Sequence, residues 1–214
     1  MIGLTLDRRP QAVACLGAHP DDIEIGAAAT IARLAESNPD CRFVFAIATG
    51  DEVRSAEADA SAAKLLGDRV SIEVAGFSDG FLPYDDPAGV KHFFQDVVAP
   101  TDPDIVICPA QSDRHQDHRF VGTLAHQIMR DQLILEYEIP KSDADLASPG
   151  VYVPLTSAEA TAKLDHLDSH FASQHEKPWY GREALQSLLR LRGIECRAAH
   201  GYAEAFHAAR IVIQ

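Results

Sequence analysis

The chain predicts an α/β fold, a Rossmann-like and mostly parallel sheet flanked by helices on both faces, and three observations predict it. Four apolar runs rich in small and β-branched residues, 12–18, 42–48, 70–76 and 105–109, have the composition of strands buried on both sides. Between them lie stretches of helical period: 24–36 sets Ile25, Ala28, Ala29 and Ala32 on one stripe, and 54–66 and 90–98 repeat the spacing. The regular alternation of the two kinds is what helical crossovers between parallel strands require.

Past His118 the pattern continues with a helix to about residue 129, an apolar run at 133–139, a short strand-like 151–155, and helices around 158–171 and 182–190. The Pro-, Ser- and Asp-rich stretch 140–149 reads as a loop, too short and too close to the last elements to divide the chain. No internal repeat is present. With 214 residues and 46% hydrophobic content, one domain spanning 1–214 with a substantial core is expected.

The formal charge of −13 argues against phosphate backbones and anionic membrane surfaces, since both demand clustered Lys and Arg. A small-molecule partner is expected, with no nucleic acid and no membrane. The first residues carry no basic segment followed by a long apolar run, and no window approaches the roughly 20 apolar residues of a membrane span, so a cytoplasmic protein is expected. Cys15, Cys41, Cys108 and Cys196 are widely spaced without a CxxC pair and read as reduced, buried thiols.

The chemistry concentrates in two segments. Gly17-Ala18-His19-Pro20-Asp21-Asp22-Ile23-Glu24 places an imidazole and two adjacent carboxylates at the end of an apolar strand, and His115-Gln116-Asp117-His118 follows the fourth strand. A hydrolytic zinc site takes three protein ligands and leaves the fourth position open, a set that His19, Asp22 and His118 would supply. Asp21 and His115 then stand beside the metal as general base and as a group facing the developing oxyanion. Pro20 stiffens the first motif, and Asp22 is placed to cap the following helix.

In open α/β sheets ligands bind beyond the carboxyl ends of the strands, where Asp51 and Arg54 (second strand) and Asp79 (third strand) join these residues. Asp21 or Asp22 taken alone would be an ordinary capping pair. His92, His126, His166, His170, His175, His200 and His207 read as solvated. Glu138 either reaches the crevice or pairs with Lys141, and Trp179 reads as a packing anchor outside the site.

With AHPDDxE at 18–24 and HxDH at 115–118 both intact, the chain resembles the PIG-L/LmbE-like zinc-dependent N-deacetylases. Thr49-Gly50, Arg54-x-x-Glu57, Asp79-Gly80, Tyr137-Glu138-Ile139-Pro140 and Ala203-Glu204-Ala205-Phe206 follow in family order. The resemblance implies removal of an N-acetyl group from an N-acetylglucosamine-type amino sugar or its conjugate, with release of acetate. It implies Zn2+, or another divalent transition metal, on His19, Asp22 and His118, and sugar contacts from Arg54 and Asp79. Asp21 would serve as base and then acid, and Asp117 would orient His115 and hold it charged.

Only three residues separate Gly50 from Arg54, fewer than in some relatives, so one wall of the pocket is expected to be open or completed by another copy in a homo-oligomer. The alternatives are an amidase for a larger amide at the same metal site and a metal-binding relative without turnover. A nucleotide-binding module is disfavoured, because the first strand-to-helix turn has no GxGxxG and puts acids where a pyrophosphate would sit.

Overall fold

The strands are β1 (Ala12–Gly17), β2 (Arg42–Thr49), β3 (Val70–Phe77), β4 (Ile105–Pro109), β5 (Leu133–Tyr137), β6 (Val151–Leu155) and β7 (Tyr202–Ala209). The helices are α1 (Asp22–Ser37), α2 (Glu52–Leu66), α3 (Pro87–Val98), α4 (Gln116–Ile128), α5 (Ser157–His170) and α6 (Arg182–Glu195). These come from a computed structural model that describes residues 2–212. The strand order is β3-β2-β1-β4-β5-β7-β6. The first five run parallel, and β7 lies antiparallel between β5 and β6.

The period-2 alternation of the strands divides the apolar side chains between two cores. Val13, Cys15, Phe43, Phe45 and Ile107 face one side, where α1, α2, α5 and α6 cover them. Ala14, Leu16, Val44, Ala46 and Val106 face the other, under Val90 and Phe94 of α3 and Val121 and Leu124 of α4. Burial of each large side chain is worth about 1.5–3 kcal/mol, so both faces contribute and neither strand face is polar. Among the described residues no helix is long and apolar enough to cross a membrane, and all four cysteines are buried and unpaired.

Three contacts lock α1, whose first residue is Asp22. A Cβ on Gly26 would sit 2.3 Å from the Tyr137 ring, so the glycine lets α1 close directly onto β5. The Tyr137 hydroxyl donates to Leu16 O at 2.8 Å, tying β5 to the end of β1 just before the first motif. Glu204 of β7 then enters the side of α1, accepting from the amides of Ala29 (3.0 Å) and Thr30 (2.7 Å) and from Thr30 Oγ1 (2.5 Å). Lys163 of α5 completes the group, donating to Glu204 at 2.5 Å and to Ile25 O at 2.7 Å. With its lone pairs occupied, this ion pair escapes the usual cost of burial, whereas removing either partner alone would cost about 3–5 kcal/mol.

β7 was not anticipated, because its Ala-rich run lacks the β-branched residues that mark the other strands. It forms here because it is flanked on both edges and its Ala203, Ala205 and Phe206 are buried.

Glu24 is fully buried in α1 and accepts from Ser61 Oγ of α2 at 2.5 Å, while its other oxygen has no partner. Burial pushes its carboxyl up to about 8. Its folded-state value thus lies above the unfolded one, so its contribution to stability is complete below about pH 4.5 and is lost as pH rises towards 8. The urea midpoint of the wild type is expected to fall across that window. Glu24→Gln keeps the acceptor for Ser61, and should flatten the dependence and gain about 5 kcal/mol relative to wild type at pH 8.5. An unchanged slope in the variant would assign the pH dependence elsewhere.

Candidate functional site

The first motif is a tight link from β1 to α1, and Asp22 sits at its hinge. Its carboxylate does not cap the helix forward, as the sequence suggested, but turns back. Asp22 Oδ2 accepts from the amides of Ala18 (2.9 Å) and His19 (2.8 Å), which fixes the loop around His19. From this anchored position Oδ2 lies 3.4 Å from His19 Nδ1, and Oδ1 lies 3.4 Å from His118 Nε2. The two ring nitrogens, one from the β1–α1 link and one from the first turn of α4, 99 residues apart in sequence, are separated by 3.1 Å.

Those spacings test whether a metal fits. Bonds of about 2.0–2.1 Å in tetrahedral geometry set donor atoms about 3.3 Å apart; His19 Nδ1 and His118 Nε2 lie 3.1 Å apart and each lies 3.4 Å from a different oxygen of Asp22, so the three residues form a triangle with edges near that spacing. Imidazole and carboxylate donors suit zinc and its first-row neighbours. Other groupings are near: the ring nitrogens of His115 also lie within 4.8 Å of those of His19 and His118, and His19 gathers Asp79 and Asp117. Asp79 (3.0 Å) and Asp117 (3.5 Å), however, approach His19 at Nε2, the nitrogen away from the triangle. They occupy the position of carboxylates that back a ligand imidazole.

His118 is backed in the same way by Asp113, whose Oδ2 lies 3.0 Å from His118 Nδ1 and whose Oδ1 accepts from His115 N at 2.7 Å. Sequence reasoning missed Asp113. The signal was an acid two residues ahead of the HxDH segment, inside the same strand-to-helix turn.

Asp21 is 2% exposed and accepts from Arg54 Nη2 at 2.8 Å. Burial and the neighbouring Asp22 raise its carboxyl, with Arg54 and His19 opposing. Arg54 also reaches Asp79 Oδ2 with Nη1 at 3.3 Å, so the two residues expected at the sugar form one bridge ending on Asp21. Asp79 is held at about 2, chiefly by its hydrogen bond to His19.

Asp117 does not orient His115. It is fully buried and accepts from Gly80 N (2.6 Å) and Leu82 N (3.2 Å), holding the turn that carries Asp79. His115 instead leaves its Nδ1 buried without a partner. Burial and the charges of His118 and His19 push its imidazole down rather than keeping it protonated. The carboxylate's oxygens are spent on backbone amides, which is why the expected pairing fails.

The cleft above these residues has a volume of about 230 Å3. One wall is Ile139, Lys141, Ser142 and Asp143, so the start of the stretch 140–149 belongs to the site. Trp179 also lines the cleft, with Lys177 Nζ 5.6 Å from its ring centroid, and so belongs to the site as well as to the packing of the core. Glu138 is not in this cleft and does not pair with Lys141; it forms a two-pronged ion pair with Arg192, both contacts at 2.6 Å. Three of the histidines read as solvated also have partners: His126 meets Glu136 at 2.5 Å, and His166 meets Ser61 at 2.8 Å and stacks on His170.

Residues 14–129 match the family model described as PIG-L: GlcNAc-PI de-N-acetylase. The chain belongs to the PIG-L family. It is 29% identical over 177 residues to an uncharacterized deacetylase of Escherichia coli K12, YaiS, covering 78% of this chain and 94% of that one. Its fold is similar to that of the N,N'-diacetylchitobiose deacetylase of Pyrococcus horikoshii, with a TM-score of 0.73 and 22% identity over 94% of this chain and 84% of that one. GalB, the 4-carboxy-2-hydroxymuconate hydratase of Pseudomonas putida KT2440, shares the fold with a TM-score of 0.75 and 16% identity, covering 95% and 98%.

The matched PIG-L span contains His19, Asp21, Asp22, Arg54, Asp79, His115 and His118, the floor of the cleft, and Asp113 behind His118. The walls from 139–143 and 177–179 lie beyond it. In this PIG-L chain the floor and the walls of the cleft are therefore separate stretches of sequence.

Proposed function

We propose that the chain is a zinc-dependent hydrolase that removes the N-acetyl group from an N-acetylglucosamine-type amino sugar or its conjugate and releases acetate. The observation that carries this reading is the triangle of His19, Asp22 and His118 donors with the buried Asp21 carboxylate beside it. His19, Asp22 and His118 would hold the metal, which when bound supplies Lewis-acid polarisation of the amide carbonyl and activation of water. Other divalent transition metals would be accepted by the same donors.

Asp21 takes a proton from the water as it attacks the amide carbon, and a carboxyl raised by burial is suited to that exchange. The C–N bond breaks as Asp21 returns the proton to the leaving nitrogen, so acetate and a free amine are formed. His115, with one ring nitrogen unpartnered, is the donor or dipole available to the developing oxyanion. Arg54 holds Asp21 in place and, with the half-exposed Asp79, offers donors and an acceptor for sugar hydroxyls.

A cleft of about 230 Å3 is smaller than the about 300–1,000 Å3 that encloses a drug-sized ligand, which favours one sugar ring inside and any conjugate over the rim. The shared fold with a diacetylchitobiose deacetylase and the chain's acidic charge support a soluble amino-sugar substrate handled in the cytoplasm, with neither nucleic acid nor membrane as partner. Acetate release from N-acetylglucosamine, diacetylchitobiose and larger N-acyl conjugates by the zinc-loaded chain tests the reading. Zinc-dependent acetate from an amino sugar is expected. Cleavage of larger amides only would move the substrate to the amidase alternative, and no hydrolysis of any amide would overturn the proposal.

A further inference from the structure

We infer that Lys141 tunes the metal site from the cleft wall, sharing one carboxylate oxygen of Asp113 with His118 so that the ligand histidine donates less strongly and the metal stays electrophilic. This rests on the zinc reading above. Asp113 Oδ2 lies 3.0 Å from His118 Nδ1 and 2.8 Å from Lys141 Nζ. Lys141 in turn meets both oxygens of Asp145, at 3.1 and 2.9 Å. Side-chain exposures of 9% for Lys141, 4% for Asp113 and 6% for Asp145 keep the three charges out of water, where screening is weak.

A carboxylate hydrogen-bonded to a ligand imidazole raises its basicity and tightens metal binding. An ammonium on the same oxygen withdraws that charge, so Lys141 opposes the effect Asp113 would have alone. Asp145 sets the share: by holding Lys141 with two contacts it keeps the ammonium from being committed wholly to Asp113. Burial works against the charge on Lys141, but its two carboxylates hold its pKa above the ordinary lysine value. Asp145 Oδ2 also accepts from Arg114 N at 2.7 Å, so the network joins the β5–β6 connection to the turn that carries His115 and leads into α4 and His118. Lys141 and Asp145 lie outside the family-matched span, which makes the tuning a property of this chain's wall rather than of its floor.

A mere brace and a tuning group predict opposite signs. If Lys141 only braces the wall, Lys141→Met loosens the site and weakens zinc binding and turnover together. If it tunes, Lys141→Met binds zinc about tenfold more tightly in competition with a chelator while kcat for acetate release falls about tenfold. Asp145→Asn leaves the ammonium to Asp113 and is expected to weaken zinc binding, and Lys141→Arg to restore both wild-type values. Zinc affinity in Lys141→Met that is unchanged or weaker overturns the inference. Should the wild type bind zinc yet release no acetate, the deacetylase reading fails while the affinity comparisons still decide the tuning; a wild type that binds no zinc overturns both.

Discussion

Asp21→Asn is expected to bind zinc with wild-type affinity and to lose acetate release by a factor of about 10^3. A positioned general base contributes about 10^2–10^4 to rate, and here one carboxylate serves both the attack and the departure of the amine. The substitution is nearly isosteric. The amide oxygen can still accept from Arg54 Nη2, now 2.8 Å from Asp21 Oδ1, so the Arg54–Asp79 bridge keeps its end point. Zinc binding should be preserved because Asp21 contributes no atom to the donor triangle, whose oxygens come from the adjacent Asp22. Loss of kcat with little change in KM is the signature of an interaction made in the transition state. Titration of zinc into the variant alongside acetate kinetics checks both halves. Residual activity above a tenth of wild type would move the base elsewhere, with the unpartnered nitrogen of His115 the remaining candidate.

The parts of the molecule legible in its sequence are those whose cause is local. Strands such as β1 and β2 are buried on both faces, so they appear as unbroken apolar runs, and the ends of β4 and β6 fall where the composition changes. The site residues of the two motifs are contiguous in sequence and leave the sheet at strand ends, so their convergence follows from the parallel topology. β7 was hidden because its only strong feature, Glu204 in an alanine-rich run, makes sense only once Lys163 and the α1 amides surround it.

The pairing of side chains was hidden for the same reason. Asp117 has one backbone amide in a distant turn at 2.6 Å and another at 3.2 Å, and neither can be read from the HxDH spacing. Glu138 and Lys141 are near neighbours in sequence, yet Glu138 goes to Arg192 while Lys141 goes to Asp113 and Asp145. Spacing names the acids and bases of this site, and only the tertiary fold says which acid each base meets.

His118→Ala separates the metal from the base, because it should abolish both zinc binding and turnover where Asp21→Asn abolishes turnover alone. Removing one of three donors leaves His19 and Asp22, one fewer than the three protein ligands a hydrolytic zinc site takes. The alanine also strips a partner from two buried carboxylates, Asp22 and Asp113, so loss of stability is a competing explanation. His118→Gln guards against it, since its amide can still donate to one of them. Thermal unfolding with and without zinc reads the difference directly: at about 100 times Kd zinc adds about 2.7 kcal/mol to any variant that binds it. Wild type and Asp21→Asn should show that gain and both His118 variants should not. The pH dependence gives an independent check. In the metal-free protein burial opposes the charge on His118, but Asp22 and Asp113 outweigh it and raise the imidazole to about 9. Zinc must therefore displace a proton from His118 at neutral pH, and wild-type zinc affinity should climb as pH rises towards 9. A wild-type affinity independent of pH across that range, or zinc stabilisation that survives in His118→Gln, would remove His118 from the donor set.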